Sequence, residues 1–132
     1  MTINFCRSMS RYMLNNCSNT IILEILDTNI RKKLTKNKLT ADQWIEIIKT
    51  AHRSGIPSTA TIMYGHIDSP KEWAVHLDIL RRIQIETGGF TEFVPLSFVH
   101  YDSPLYLESL SLVRAGATDN EIELMHAVAR IV

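Results

Sequence analysis

Cysteine is scarce in this chain of 132 residues, whose 2 cysteines are Cys6 and Cys17. Two thiols are too few for a disulfide framework, for a cysteine-rich zinc site or for a 4Fe-4S cluster. We therefore predict free thiols in a reducing, cytoplasmic compartment. The residue types and their spacing by themselves identify no metal ligand and no catalytic group.

Net charge and long apolar runs are also missing. The 14 basic side chains balance the 14 acidic ones, so nothing favours a nucleic acid or an anionic membrane as a partner. Glu24, Asp27 and Arg31 interrupt the most apolar stretch, which excludes a membrane-spanning helix there. We expect small molecules to be the ligands of this chain.

The chain is also short for a complete α/β barrel, which needs about 250 residues. Residues 1–23 contain Arg7, Arg11 and several serines but no acid, and we predict a poorly ordered tail. An organelle transit peptide is the alternative interpretation of this tail. Residues 24–132 are then expected to form an incomplete portion of one α/β domain.

The clearest pattern in the chain is strand, helix, strand. Ser58–Tyr64 and Phe90–Leu96 have the composition of strands. Between them, Ser69–Thr87 is typical of an amphipathic helix that opens with Ser-Pro-Lys-Glu and ends at Gly88-Gly89. This order predicts a βαβ unit with parallel strands, whose ligands bind at the carboxyl ends of the strands.

Helices are predicted elsewhere by their first residues. Thr40 and Thr118 each begin a capping box, which a glutamine or a glutamate completes three residues later. The segment Ile21–Leu34 is expected to be partly helical, with Asp27 or Thr28 as its cap.

Polar residues interrupt both predicted strands and indicate a hydrated, ligand-holding face. In the first strand, Thr59, Thr61 and Met63 share one face. Glu92 stands within the second strand, where it either faces such a lumen or faces water at a sheet edge. His66 and His100 directly follow the strands, and each either contacts a substrate or caps a strand end.

Two runs of sequence are distinctive: Ala60-Thr61-Ile62-Met63-Tyr64-Gly65-His66 and Phe90-Thr91-Glu92-Phe93-Val94-Pro95-Leu96. Both resemble the deazaflavin (FO) synthase family, in the half that uses tyrosine and radical S-adenosylmethionine (SAM) chemistry. The likeness extends from about Glu24 to Val132. Radical SAM enzymes of the futalosine route to menaquinone share a looser version of these runs.

This resemblance implies that the chain is a fragment of a radical SAM (β/α) TIM-type barrel. It also implies S-adenosylmethionine and a 4Fe-4S cluster as cofactors. In the family, the 4-hydroxybenzyl group of tyrosine is transferred to 5-amino-6-ribitylaminouracil. By the same resemblance Glu24, Met63, Tyr64 and Gly65 are expected to contact the cofactor, and His66, Glu92 and His100 the substrates.

One departure from the family pattern limits this expectation. The family holds its cluster with a Cys-x-x-x-Cys-x-x-Cys loop, and neither Cys6 nor Cys17 reproduces that spacing. The cluster ligands are therefore absent from this chain, which we expect to be inactive alone. Two hypotheses remain open: a segment of the enzyme that needs another polypeptide to supply the cluster, or a non-catalytic, truncated remnant. A fragment of a radical SAM enzyme of the futalosine route to menaquinone is the alternative to the deazaflavin branch.

Overall fold

The computed structural model describes residues 25–34, 39–101, 103, 106–107 and 112–132. The predicted tail over residues 1–23 and the predicted cofactor residue Glu24 lie outside these ranges. The described elements, in chain order, are α1 (Thr28–Leu34), α2 (Ala41–Arg53), β1 (Ser58–Tyr64), α3 (Pro70–Thr87), β2 (Phe90–Ser97) and α4 (Asp119–Ile131). The chain is thus a mixed α/β structure.

The two strands pair in parallel and are connected through α3, which confirms the predicted βαβ unit. Ala60 lies opposite Phe93 and Tyr64 opposite Ser97, while an irregularity in register falls between Ser58 and Thr59. Both strands therefore end at the same edge of the sheet. The described sheet has 2 strands, and it contains no closed barrel.

Local sequence signals place the helix ends where they were predicted. Asp27 caps α1 by accepting hydrogen bonds from the backbone of Asn29 and Ile30, both at 2.9 Å. Glu72 accepts from the backbone N–H of Ser69 at 2.9 Å, and proline occupies the first turn of α3. Gly88 ends α3 with a φ of 61°, the left-handed conformation that glycine adopts at low cost.

One face of the sheet is buried beneath helices. On β1 this face consists of Ala60, Ile62 and Tyr64, which are at most 2% exposed. Ala60 belongs to a core cluster with residues of α2 and α3, and the other two belong to a second cluster that includes Met125 of α4. Thr59, Thr61 and Met63 alternate with them along the strand, which confirms the predicted division of β1 into two faces. Thr61 is nevertheless buried, so this face is not hydrated along its whole length.

His76 connects this covered sheet to the segment before α1. Its Nε2–H donates to the carbonyl of Thr61 at 3.0 Å, and its Nδ1 accepts from the backbone N–H of Leu26 at 3.1 Å. The second bond requires a lone pair on Nδ1, so the ring is neutral. Burial of this ring lowers its pKa from 6.5 to about 4.

We expect His76 to make the fold sensitive to acid. The unfolded chain binds a proton near pH 6.5 and the folded chain only near pH 4, so the free energy of unfolding falls as the pH decreases through that interval. The loss should be about 3 kcal/mol in total. Urea unfolding at several pH values measures it. His76→Gln should flatten the dependence, whereas His126→Gln on the exposed side of α4 should not.

Candidate functional site

The turn that follows β1 is organised by a buried carboxylate. Asp68, 5% exposed, accepts hydrogen bonds from the backbone N–H groups of Gly65 at 2.9 Å and His66 at 2.7 Å. The indole N–H of Trp73, in the first turn of α3, donates to the same carboxylate. Asp68 therefore attaches the carboxyl end of β1 to α3. Sequence reasoning missed this residue, although an aspartate within a turn commonly binds nearby backbone N–H groups.

The His66 side chain folds back into this turn. Its ring is fully buried, its Nε2 lies 3.1 Å from the carbonyl oxygen of Met63, and its Nδ1 accepts from the N–H of Ile67 at 2.8 Å. The ring also meets Phe98 edge to face. Because both nitrogens are engaged, this arrangement corresponds to the strand-capping alternative. A substrate contact by His66 stays a prediction that would require the turn to rearrange.

A loop over residues 113–118 packs onto the ends of both strands. The N–H of Arg114 donates to the carbonyl of His66 at 2.9 Å. Its guanidinium donates to Glu121 at 3.0 Å, and this hydrogen bond lowers the pKa of the Glu121 carboxyl. A Cβ atom on Gly65 would lie 2.5 Å from the backbone nitrogen of Ala117, and one on Gly116 would lie 2.7 Å from the carbonyl oxygen of Phe98. The loop thus depends on two glycines.

The predicted cofactor residues occupy different surroundings. The Tyr64 ring lies in the helix-covered core against Trp73, with ring centroids 5.1 Å apart, and burial raises its pKa. Met63 lies on the opposite face and is half-buried. Gly65 packs against the loop over residues 113–118. Contacts from these residues to a cofactor remain predictions, and a contact from Tyr64 would have to come from its backbone.

Glu92 and His100 lie at opposite ends of β2. Glu92 is exposed near the amino end of the strand and accepts a hydrogen bond from the Thr59 hydroxyl at 3.1 Å. His100 follows the carboxyl end, and its Nδ1–H donates to the carbonyl of Ala115 at 2.6 Å. The structure therefore brings His100 and His66 to one edge but does not bring Glu92 there. Their substrate contacts stay predictions.

The donor groups in the described ranges do not fit a metal cluster. No three His, Cys, Asp or Glu residues converge there in a way that could hold a metal ion. Both cysteines lie in residues that the structure does not describe, and two thiolates cannot supply a three-cysteine loop. None of the helices in the described ranges is both long enough and apolar enough to cross a bilayer.

A parallel βαβ unit with polar groups at its carboxyl edge places this chain in the α/β class of proteins. No protein-family model matches the chain. Comparison with curated proteins nevertheless shows that it is homologous to a segment of FO synthase and of 5-amino-6-(D-ribitylamino)uracil–L-tyrosine 4-hydroxyphenyl transferase. The resemblance inferred from the sequence is confirmed.

The similarity covers most of this chain and a small part of each relative. FO synthase of Mycobacterium leprae is 55% identical over 108 residues, which are 82% of this chain and 12% of that protein. The transferases of Methanothermobacter thermautotrophicus and Methanopyrus kandleri are 51% identical over 108 residues and 49% identical over 125 residues, respectively. These two matches include 82% and 95% of this chain, but only 29% and 33% of the two transferases.

Gly65→Ala tests the packing of the loop on the strand end. The new methyl group would meet Ala117 in a backbone with a φ of 90°, so we expect unfolding to become easier by about 3 kcal/mol. Gly88→Ala is the matched control, because its φ is also positive but nothing lies within 4 Å. It should cost only about 1 kcal/mol. Equal losses in urea unfolding would contradict the proposed packing.

Proposed function

We propose that this chain forms part of the wall of a tyrosine 4-hydroxyphenyl transferase that makes the deazaflavin precursor. The identity over 108 residues carries this proposal. A stretch of 108 residues in a chain of 132 always contains the middle of the chain, wherever the stretch begins. The aligned stretch therefore includes β1, α3 and β2. The homologous segment therefore contains the entire parallel unit and its carboxyl edge.

The arrangement of the sheet supports a place in a TIM-type barrel. One face is covered by helices, as the outer face of barrel strands is, while Thr59, Met63 and Glu92 lie on the other face. We assign this face, which also carries Thr61, Val94 and Leu96 and is therefore mixed in polarity, to the lumen. The printed name of the transferases specifies tyrosine and an aminouracil, and we propose the same substrates for the enzyme that this segment completes. As a biosynthetic enzyme it would work in the cytoplasm.

The radical SAM cofactors belong to the same proposal. Met63, Gly65 and Glu24 are the residues that we propose for contact with S-adenosylmethionine. The 4Fe-4S cluster does not fit the residues of this chain, so its three-cysteine loop must come from polypeptide outside these 132 residues. We assign no step of radical formation to this chain.

A chimeric enzyme tests the proposed function. The matching segment of the Methanocaldococcus jannaschii transferase, which is 54% identical over 109 residues, is replaced by the corresponding residues of this chain. We expect the chimera to bind iron and to form product from tyrosine and the aminouracil. The unmodified transferase is the positive control. An iron-loaded, folded chimera without product would contradict the proposal and favour the non-catalytic remnant.

The chain by itself should not assemble a cluster. After anaerobic treatment with iron and sulfide and removal of unbound iron, we expect no visible absorption band of a 4Fe-4S cluster and no cleavage of S-adenosylmethionine. The transferase of Methanocaldococcus jannaschii, treated in parallel, should show both. A brown chain that consumes S-adenosylmethionine would show that this sequence holds the cluster after all.

A further inference from the structure

Three aromatic rings meet beyond the carboxyl end of β2. The ring centroid of His100 lies 4.2 Å from that of Tyr101 at an interplanar angle of 31°, and 4.9 Å from that of Tyr106 at 58°. Tyr101 keeps 78% of its surface exposed, and His100 is partly exposed. The cluster therefore presents an accessible aromatic face at the edge where parallel α/β sheets bind ligands.

The position of the Nδ1 proton of His100 follows from its hydrogen-bond partner. A backbone carbonyl can only accept, so the 2.6 Å contact with Ala115 places a proton on Nδ1. In the neutral ring Nε2 then carries the lone pair and can accept a hydrogen bond from a ligand. His66 differs because both of its ring nitrogens are used within the turn. Of the two histidines that follow the strands, His100 is the one placed to contact a ligand.

We propose that His100, Tyr101 and Tyr106 form a stacking site for the pyrimidinedione ring of the aminouracil substrate. The site rests on the proposed function and identifies which of the two substrates it takes. Stacking of a ring on Tyr101 would extend the existing His100–Tyr101 pair, and N–H groups on the edge of the pyrimidinedione match the acceptor at Nε2.

The edge of the ring favours the aminouracil over tyrosine. The pyrimidinedione carries N–H donors for Nε2 of His100 and carbonyl oxygens that can accept from the Tyr106 hydroxyl, whereas a phenol ring carries a single hydroxyl.

Binding to the full chain tests this site. 5-Amino-6-ribitylaminouracil, kept anaerobic, is titrated into the chain labelled at histidine and tyrosine rings, and NMR follows the ring signals. We expect saturable shifts of His100 and Tyr101 with the aminouracil and none with L-tyrosine. Tyr101→Leu should weaken binding about tenfold, whereas Tyr101→Phe, which keeps the aromatic face, should bind like the unaltered chain.

Two further variants separate binding from folding. His100→Asn can still donate to Ala115 but lacks the acceptor at Nε2, so it should also bind less tightly, whereas His126→Gln should have no effect. Absence of saturable binding up to millimolar aminouracil, a preference for tyrosine, or unweakened binding by Tyr101→Leu would overturn the site. If the chimeric transferase is active in that case, only the stacking site fails. If the ring binds but the chimera is inactive, the proposed function fails.

Discussion

Burial of one sheet face beneath three helices is the constraint on which the rest of this structure depends. Ala60, Ile62 and Tyr64 lose nearly all contact with water, and residues of α2, α3 and α4 cover them. The apolar area removed from water stabilises the parallel pair, which two strands could not achieve by hydrogen bonding alone. Because this face is occupied by packing, the polar groups of the sheet are confined to the other face and to the strand ends.

The carboxyl edge is shaped by polar contacts between segments distant in the sequence. Asp68 accepts hydrogen bonds from backbone N–H groups at the end of β1. The loop over residues 113–118 contacts the same strand end through the N–H of Arg114 and through Ala117. The polar contacts of this edge therefore differ between the two strand ends. Both ring nitrogens of His66 are engaged within the turn after β1, whereas His100 contacts Ala115 through Nδ1 and is partly exposed.

The need for further polypeptide that we propose agrees with the same geometry. Within the described residues the sheet of 2 parallel strands has free edges, and the relatives that match this chain are about three or more times as long. The chain contains the strand ends, whereas the cluster would require three cysteines. Homology to a transferase and the absence of a complete cluster loop are compatible, because this chain matches only a part of that transferase.

The sequence by itself determined the helix ends, the two strands, the division of β1 into faces and the family resemblance. Capping boxes, proline and glycine act within a few residues, and alternation along a strand follows directly from its geometry. Tertiary structure alone decided that Tyr64 faces the core, that Asp68 holds the turn, and that Gly65 accommodates Ala117. It also decided that His76 is buried against Leu26. These outcomes depend on contacts between residues far apart in the chain, which local patterns do not encode.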